Sequence, residues 1–240
     1  MDIKQINYLD YGCNKKGTIV LLHGWGQNIE MMDMLGRPFE KEYRIIVLDL
    51  PGFGKTPEPQ ESATISDYAK WVWELLTSLK VKNPILVGHS FGGRISICYA
   101  ALYKTEKVVL LSSPFRPSTK KKHNWKVKLF KFVKKFPFLK SLSEYLKEKW
   151  GSVDYKNASD INRGTLIKVV NDDLTRYAEV IKCPVLLIYG QDDKDVLISE
   201  AKELEKIIPD AGLVVYENAH HYAYLECLNQ TIAILKTFFE

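Results

Sequence analysis

The chain has 240 residues, of which 46% are hydrophobic and 26% are charged, and its formal net charge is +5. This composition is typical of a globular protein with one sizeable core, and no apolar run reaches the length that a bilayer-spanning helix needs. The start of the sequence lacks the pattern of a secretory signal, and Cys13, Cys98, Cys183 and Cys227 have neither zinc nor disulfide spacing. We therefore expect free thiols and a cytoplasmic protein.

Short apolar runs alternate with helical patterns along the chain. The predicted strands are Thr18–Leu22, Arg44–Leu48, Ile85–Val87, Lys107–Leu111, Val185–Tyr189 and Leu213–Tyr216. The predicted helices lie around Ile29–Phe39, Ser66–Leu79, Phe91–Tyr103, Ile198–Ile207 and Leu225–Phe239. This alternation predicts an α/β fold, with a mostly parallel sheet that carries helices on both faces. The segment Ile3–Asp10 is predicted to add an antiparallel hairpin at one edge.

A basic segment, residues 114–150, interrupts this alternation. It contains eleven Lys and one Arg against two Glu, so the rest of the chain is net negative. Apolar residues recur along one helical face of it: Trp125, Leu129, Phe132, Val133 and Phe136. We therefore predict a core formed by residues 1–113 and 172–240, with a small helical lid inserted at 114–171.

The lysines of this segment have two interpretations. They form a solvated face, or they attract an acidic carrier protein or an anionic membrane surface. Since the segment carries no recognised nucleic-acid motif and no clear pattern of base-stacking aromatics, we expect no nucleic acid as a partner.

The stretch "ILVGHSFGGR", residues 85–94, places a serine between glycines at the junction of a predicted strand and a predicted helix. Ser90 would lie in the sharp turn between them, where a strained backbone is seldom kept without a use. Gly88 and Gly92 lack Cβ atoms, which allows the strand and the helix to approach closely. This arrangement would expose the hydroxyl at the end of the sheet, as a nucleophile requires.

A serine nucleophile needs a base, and the base needs an orienting acid. His220 and His221 follow the last predicted strand, at the edge of an α/β sheet where catalytic groups gather. The stretch "GQDDKD" follows the preceding strand and offers three carboxylates: Asp192, Asp193 and Asp195. The order serine, acid, histidine along the chain is that of hydrolases with a nucleophile elbow.

Five stretches in this order give the chain its resemblance to the α/β-hydrolase superfamily: "LLHGWGQN", "VLDLPGFGKT", "LVGHSFGG", "CPVLLIYGQDD" and "AHHYAYLE". The resemblance implies the α/β-hydrolase fold. It also implies Ser90 as nucleophile, Asp193 as acid and His221 as base. Asp193 is favoured by its position three residues after Gly190, and His221 by its position five residues before an acidic residue.

The resemblance extends to the oxyanion hole and the substrate pocket. It implies that the backbone N–H groups of Trp25 and Phe91 form the oxyanion hole. We expect a substrate pocket lined by four aromatic residues: Trp25, Phe91, Phe115 and Tyr222. His23 and Asp49 are interpreted as residues that shape loops.

Among its relatives the chain looks like carboxylesterases such as the pimeloyl-carrier-protein methyl ester esterase. This predicts a serine hydrolase that cleaves a small-molecule carboxylic ester through an acyl-enzyme, with no metal and no cofactor. Two alternatives stay open. One is a lyase of the menaquinone pathway type on the same triad, which Arg94 matches at a single position. The other is a non-catalytic binding module on the same fold.

Overall fold

The computed structural model describes residues 1–117 and 158–240. Their centre is a seven-stranded sheet in the order β1-β3-β2-β4-β5-β6-β7. Strand β1 is antiparallel to β3, with Tyr8 opposite Leu48, and the five other neighbouring pairs are parallel. The predicted α/β fold is confirmed. The parallel arrangement brings the loops that follow β2 to β7 to one edge of the sheet.

The strands agree closely with those predicted. They are β1 Tyr8–Gly12, β2 Thr18–Leu22, β3 Arg44–Leu48, β4 Ile85–His89, β5 Lys107–Leu111, β6 Val185–Gly190 and β7 Ala211–Tyr216. Strand β4 runs two residues beyond the predicted end, as far as the residue before Ser90. All residues of β2, β4 and β6 are buried, as expected for strands with neighbours on both sides and helices on both faces.

Eight α-helices belong to the described part of the chain. They are α1 Glu30–Gly36, α2 Ile65–Ser78, α3 Phe91–Leu102, α4 Asp160–Asn171, α5 Thr175–Ala178, α6 Ile198–Ile207, α7 Ala223–Glu226 and α8 Leu228–Phe239. A capping box at Thr64 and Asp67 starts α2. None of these helices combines the length and the apolar composition that crossing a bilayer requires.

The core consists of two layers, one on each face of the sheet. In β2, Val20 and Leu22 belong to one layer, whereas Ile19 and Leu21 belong to the other, as the period of two residues in a strand requires. Helices α2, α3, α5 and α6 pack on the first face, and α1 and α8 pack on the second. Both faces of the sheet are therefore covered by helices, and β2, β4 and β6 are buried along their whole length.

Two details differ from the sequence prediction. The antiparallel edge expected at Ile3–Asp10 is confirmed by β1, but the hairpin is wrong, because Ile3–Gln5 is a 3-10 turn that the Asp2 side chain caps and the segment contributes one strand. The expected helix at Ile29–Phe39 is divided into α1 and a 3-10 turn that contains Pro38. Proline has no N–H to continue the α-helical hydrogen bonds.

The two ends of the predicted insertion 114–171 meet at the core. The Leu174 N–H donates to the Phe115 carbonyl at 2.7 Å. Arg94 of α3 donates to the carbonyls of Pro114 at 3.2 Å and Asp172 at 2.6 Å. The predicted amphipathic face Trp125–Phe136, and with it most of the basic segment, lies outside the described residues.

Helix α4, which belongs to the predicted insertion, is hydrogen-bonded to the loop that precedes α2. The Asn162 side-chain amide donates to the Gly52 carbonyl at 3.1 Å, and the Ala63 N–H donates to the Thr165 hydroxyl at 3.0 Å. The Ser62 hydroxyl donates to the Ile161 carbonyl at 3.0 Å. The boundaries of core and insertion remain a prediction, but α4 and this loop form one hydrogen-bonded unit.

Candidate active site

Ser90 occupies the turn between β4 and α3 with φ +49° and ψ −104°. A positive φ is uncommon for a residue with a Cβ atom and costs about 1–3 kcal/mol. The neighbouring glycines make the turn possible. A Cβ on Gly88 would lie 2.5 Å from the Gly92 carbonyl carbon, and a Cβ on Gly92 would lie 2.1 Å from the Leu22 oxygen. The predicted close approach of strand and helix is therefore confirmed.

Asp193 and His221 form a hydrogen-bonded pair at the same edge of the sheet. Asp193 Oδ2 lies 2.8 Å from His221 Nδ1, and the Asp193 side chain is fully buried whereas that of His221 is 17% exposed. The other Asp193 oxygen accepts the N–H groups of Asp195 at 2.8 Å and Val196 at 3.0 Å. Neither Asp192 nor Asp195 forms a side-chain hydrogen bond with His221, and both are exposed.

The charge state of Asp193 sets the tautomer of His221. Burial raises the pKa of the Asp193 carboxyl, but the His221 contact and the two backbone N–H groups outweigh it and hold the pKa below its ordinary value. The carboxylate therefore accepts the proton on His221 Nδ1. Nε2 is left with a lone pair, which is the form that a general base requires.

His220 lies apart from this pair. Its side chain is 60% exposed, and its Nδ1 lies 3.1 Å from Glu226 Oε2. The Glu226 carboxylate also accepts the His220 backbone N–H. The adjacent histidines therefore differ in partner as well as in exposure, and only His221 meets a buried acid.

Ser90 is linked to the pair of Asp193 and His221 by the preceding residue, His89, which lies against His221. The His89 ring centroid lies 5.0 Å from that of His221, and His89 Nε2 lies 3.1 Å from the His221 carbonyl oxygen. The Ser90 side chain is half-buried, and its hydroxyl makes no hydrogen bond with the residues that the structure describes. Hydrogen bonds between nucleophile and base are often formed only when substrate is bound.

The backbone N–H groups of Trp25 and Phe91 lie beside the site. Within residues 1–117 and 158–240, neither N–H donates a hydrogen bond. Phe91 is the first residue of α3, where N–H groups have no intrahelical partner and favour negative charge. Trp25 lies in a turn closed by the Gln27 N–H and the Gly24 carbonyl at 3.2 Å, with Gly26 at φ +73°. This geometry suits the two donors of an oxyanion hole.

The four predicted pocket residues have different environments. The rings of Trp25 and Phe91 meet edge to face, with centroids 5.2 Å apart. Tyr222 is 41% exposed, and its ring lies 5.7 Å from that of His221. Phe115 is only 1% exposed and belongs to the core layer that includes Phe91. The structure thus brings Trp25 together with Phe91 and Tyr222 together with His221, and it buries Phe115.

Sequence reasoning missed Phe53 and Gln27. The Phe53 ring lies 4.8 Å from that of Trp25 and 6.1 Å from that of Phe91, so it completes an aromatic cluster. Its position between two glycines in "PGFG" was the available signal. Gln27 contacts Gly24 and Tyr222 through its side chain. No pattern in the sequence indicates the second contact.

Two other histidines, His23 and His89, are buried and neutral. Burial lowers the pKa of His23 to about 4 and that of His89 to about 3. His23 Nδ1 lies 2.7 Å from the Gly24 carbonyl, and its Nε2 accepts the Leu50 N–H at 3.0 Å. His23 therefore joins the loops after β2 and β3, which agrees with its interpretation as a loop residue.

One group among the described residues has metal-ligand geometry. Asp193, Asp195 and His221 each offer an atom, and these atoms lie within 4.8 Å of one another. Two of the three, Asp193 and His221, already satisfy each other by a hydrogen bond. Their arrangement suits an acid–base pair better than a set of open ligands.

Comparison with known proteins agrees with this geometry. A family model described as alpha/beta hydrolase fold matches residues 17–144. The chain is 29% identical over 231 residues to the AB hydrolase superfamily protein YisY of Bacillus subtilis, covering 87% of this chain and 86% of that protein. It is 24% identical over 244 residues to a pimeloyl-[acyl-carrier protein] methyl ester esterase of Aliivibrio fischeri, covering 92% of each.

A solved structure is similar over nearly the whole chain. It is that of a lipase-esterase related protein from Clostridium acetobutylicum, with a TM-score of 0.74 and 25% sequence identity. The match covers 98% of this chain and 99% of the other. The similarity therefore includes both flanks of the predicted insertion.

Proposed function

The chain belongs to the alpha/beta hydrolase family, and from that premise we propose that it is a serine hydrolase of carboxylic esters with Ser90 as nucleophile. The observation that carries the proposal is the pair of Asp193 and His221, 2.8 Å apart, beside a serine in a strained turn. Esterase- and lipase-type relatives support hydrolysis in general. The ester specificity and the acyl-enzyme route are part of the proposal.

Each proposed catalytic group has one task in acylation. His221 Nε2 takes the proton of the Ser90 hydroxyl while Oγ attacks the ester carbonyl carbon. Asp193 holds the Nδ1 proton and stabilises the imidazolium that forms. The N–H groups of Trp25 and Phe91 donate to the oxyanion of the tetrahedral intermediate, since both lack another partner in the described part of the chain.

The intermediate collapses when His221 gives its proton to the leaving alcohol, which leaves the acyl group on Ser90. Water then enters, His221 removes its proton, and the water oxygen attacks the acyl carbon. The second tetrahedral intermediate releases the carboxylic acid and returns the proton to Ser90. These steps need no group beyond the chain's own residues and water.

The lyase alternative was suggested by Arg94, and the contacts of Arg94 give this residue a structural role. Arg94 is 3% exposed and gives its two guanidinium hydrogen bonds to the carbonyls of Pro114 and Asp172. Burial lowers its pKa to about 10, so it stays charged at neutral pH. Arg94 therefore joins the two ends of the insertion, and its match to the lyase offers no separate support for elimination chemistry.

The test combines covalent labelling with steady-state kinetics. We expect a fluorophosphonate probe to modify the wild type but not Ser90→Ala, and we expect Ser90→Ala and His221→Ala to lose at least about 10³-fold in kcat for a p-nitrophenyl ester. His220→Ala is the matched control, because its side chain meets Glu226 instead. It should stay within about threefold of the wild type, since exposed pairs contribute little.

If the folded wild type is neither labelled by the probe nor able to hydrolyse the ester, the proposal of an ester hydrolase is refuted. The alternative of a non-catalytic binding module would then stand. A loss in His220→Ala equal to that in His221→Ala would refute the assignment of the base. A panel of esters with graded acyl length then defines the substrate, because the change of kcat/KM along the series measures how far the pocket binds the acyl chain.

A further inference from the structure

The side chain of Gln27 joins three parts of the proposed active site. Its Oε1 accepts the Gly24 N–H at 2.9 Å, and its Nε2 donates to the Tyr222 hydroxyl at 3.1 Å. His89 Nδ1 lies 3.3 Å from the same Oε1. Gln27 therefore contacts the loop of Trp25, the residue before Ser90 and the residue after His221.

Gln27 closes the turn of Trp25 from both sides. Its backbone N–H donates to the Gly24 carbonyl at 3.2 Å, while its side chain accepts the Gly24 N–H. Trp25 and Gly26 are the two central residues of this turn, so the direction of the Trp25 N–H depends on its closure. The space is tight: a Cβ on Gly24 would lie 2.7 Å from His89 Nδ1 and 3.0 Å from Gln27 Oε1.

His89 extends the contact of Gln27 to the His221 backbone. His89 is 1% exposed, and its Nε2 lies 3.1 Å from the His221 carbonyl. A neutral imidazole has one N–H, so His89 donates either to the Gln27 oxygen or to the His221 carbonyl, and its ring is held between the two. A displacement of Gln27 therefore alters the position of His89 and, through it, the loop that carries His221.

We propose that Gln27 is a positioning residue of the hydrolytic site, which holds the Trp25 N–H toward the oxyanion and ties this turn to the loop of His221. The inference rests on the proposed function and adds to it a residue that acts through Gly24 and Tyr222. Gln27 takes no part in bond making. Its contribution is to the transition state, because the oxyanion to which Trp25 donates exists only there.

Gln27→Met is the primary variant, since methionine has a similar length and neither accepts from Gly24 N nor donates to Tyr222. Removal of an oxyanion-hole donor costs about 10²- to 10³-fold, and its displacement costs less. We expect kcat for a p-nitrophenyl ester to fall about tenfold with KM within about twofold of the wild type. The inhibition constant of a trifluoromethyl ketone, whose adduct with Ser90 mimics the oxyanion, should rise by the same factor as kcat/KM falls.

Asn28→Ala is the matched control in the same loop. Asn28 is half-buried like Gln27, but its side chain accepts the Glu30 N–H at 2.9 Å at the start of α1. It should lower the melting temperature as much as Gln27→Met does, with kcat and inhibitor affinity within about twofold of the wild type. Gln27→Glu keeps an acceptor for the Gly24 N–H and should retain more activity than Gln27→Met.

Two results would overturn the inference alone: Gln27→Met with wild-type kcat and inhibitor affinity, or equal losses in Gln27→Met and Asn28→Ala that follow the melting temperature. Either result can occur while Ser90→Ala remains inactive, which leaves the proposed function intact. A wild type without Ser90-dependent hydrolysis would overturn the proposed function and the inference with it.

Discussion

Two buried carboxylates, Asp49 and Asp193, follow parallel strands of the same sheet and differ in what they bind. Their exposures are nearly equal, 3% for Asp49 and 4% for Asp193. Asp49 accepts the N–H groups of Ile29 at 2.8 Å and Lys55 at 2.9 Å and the Asn7 amide at 2.7 Å. Asp193 accepts two backbone N–H groups on one oxygen and leaves the other for an imidazole.

This difference separates a structural acid from a candidate catalytic one. The donors to Asp49 are backbone and amide groups that never titrate near neutral pH, so its carboxylate holds three segments together. The partner of Asp193 is the imidazole of His221, a side chain that often serves as a general acid or base, and this contact is the basis of the proposed catalytic role. Burial and position at a strand end are therefore not enough to identify a candidate catalytic carboxylate. The groups that donate hydrogen bonds to it make the distinction.

An Asp→Asn substitution tests the comparison at both positions, and the largest expected effect is on the activity of Asp193→Asn. Asp193→Asn replaces an acceptor with an amide N–H₂ that favours the wrong tautomer of His221. We expect kcat of the folded protein for an ester to fall about 10³- to 10⁴-fold. Asp195→Asn is the control, because its exposed carboxylate does not contact His221. The acid is misassigned if Asp195→Asn loses more activity than Asp193→Asn.

At Asp49 the effect should appear in stability instead. In Asp49→Asn, either orientation of the amide directs N–H₂ at a backbone N–H, that of Ile29 or that of Lys55. We expect the free energy of unfolding in urea to fall by about 1–3 kcal/mol, the cost of a buried donor left unpaired. The kcat of the folded fraction should stay within about threefold of the wild type. A loss of kcat without a loss of stability would contradict the structural role.

A smaller effect should appear in the pH dependence of stability. The pKa of Asp193 is held below its ordinary value of 3.8, so its ionisation stabilises the folded protein above that value. The difference in unfolding free energy between wild type and Asp193→Asn should therefore be constant near neutrality. It should shrink as the pH falls through the lowered pKa. Urea titrations between about pH 2 and pH 7 measure it. A difference that grows toward acid pH would mean that the pKa is raised.

The fold could be predicted from the sequence wherever local pattern and tertiary structure agree. Strand β2 has the predicted ends because an apolar run lies between Gly17 and the polar loop at His23. Helix α4 has no such agreement. Gly164 lies in its middle and lowers helix propensity. The tertiary structure explains the glycine, since a Cβ on Gly164 would collide with the Ser62 hydroxyl.

The site was predictable to the extent that its residues are adjacent to strand ends. Ser90, Asp193 and His221 each follow such an end, so their order along the chain was readable. The resemblance favoured Asp193 over its acidic neighbours by position alone, and the structure adds its burial and its contact of 2.8 Å with His221. The contact between Gln27 and Tyr222 spans 195 positions, and no pattern in the sequence pairs these two residues. Such a contact is visible only in the folded chain.

The junction of Arg94, the Phe115 carbonyl and the Leu174 N–H bears on how such proteins diversify. Phe115 and Leu174, near the two ends of the predicted insertion, are joined by a hydrogen bond of 2.7 Å. The entropy cost of closing a flexible loop rises by only about 0.6 kcal/mol for each doubling of its length. We therefore expect a change of length between residues 117 and 158 to cost the core little, whereas α4 must be kept, since Asn162 and Thr165 bind it to the loop before α2. Such a change would leave the strand ends that precede Ser90, Asp193 and His221 as they are.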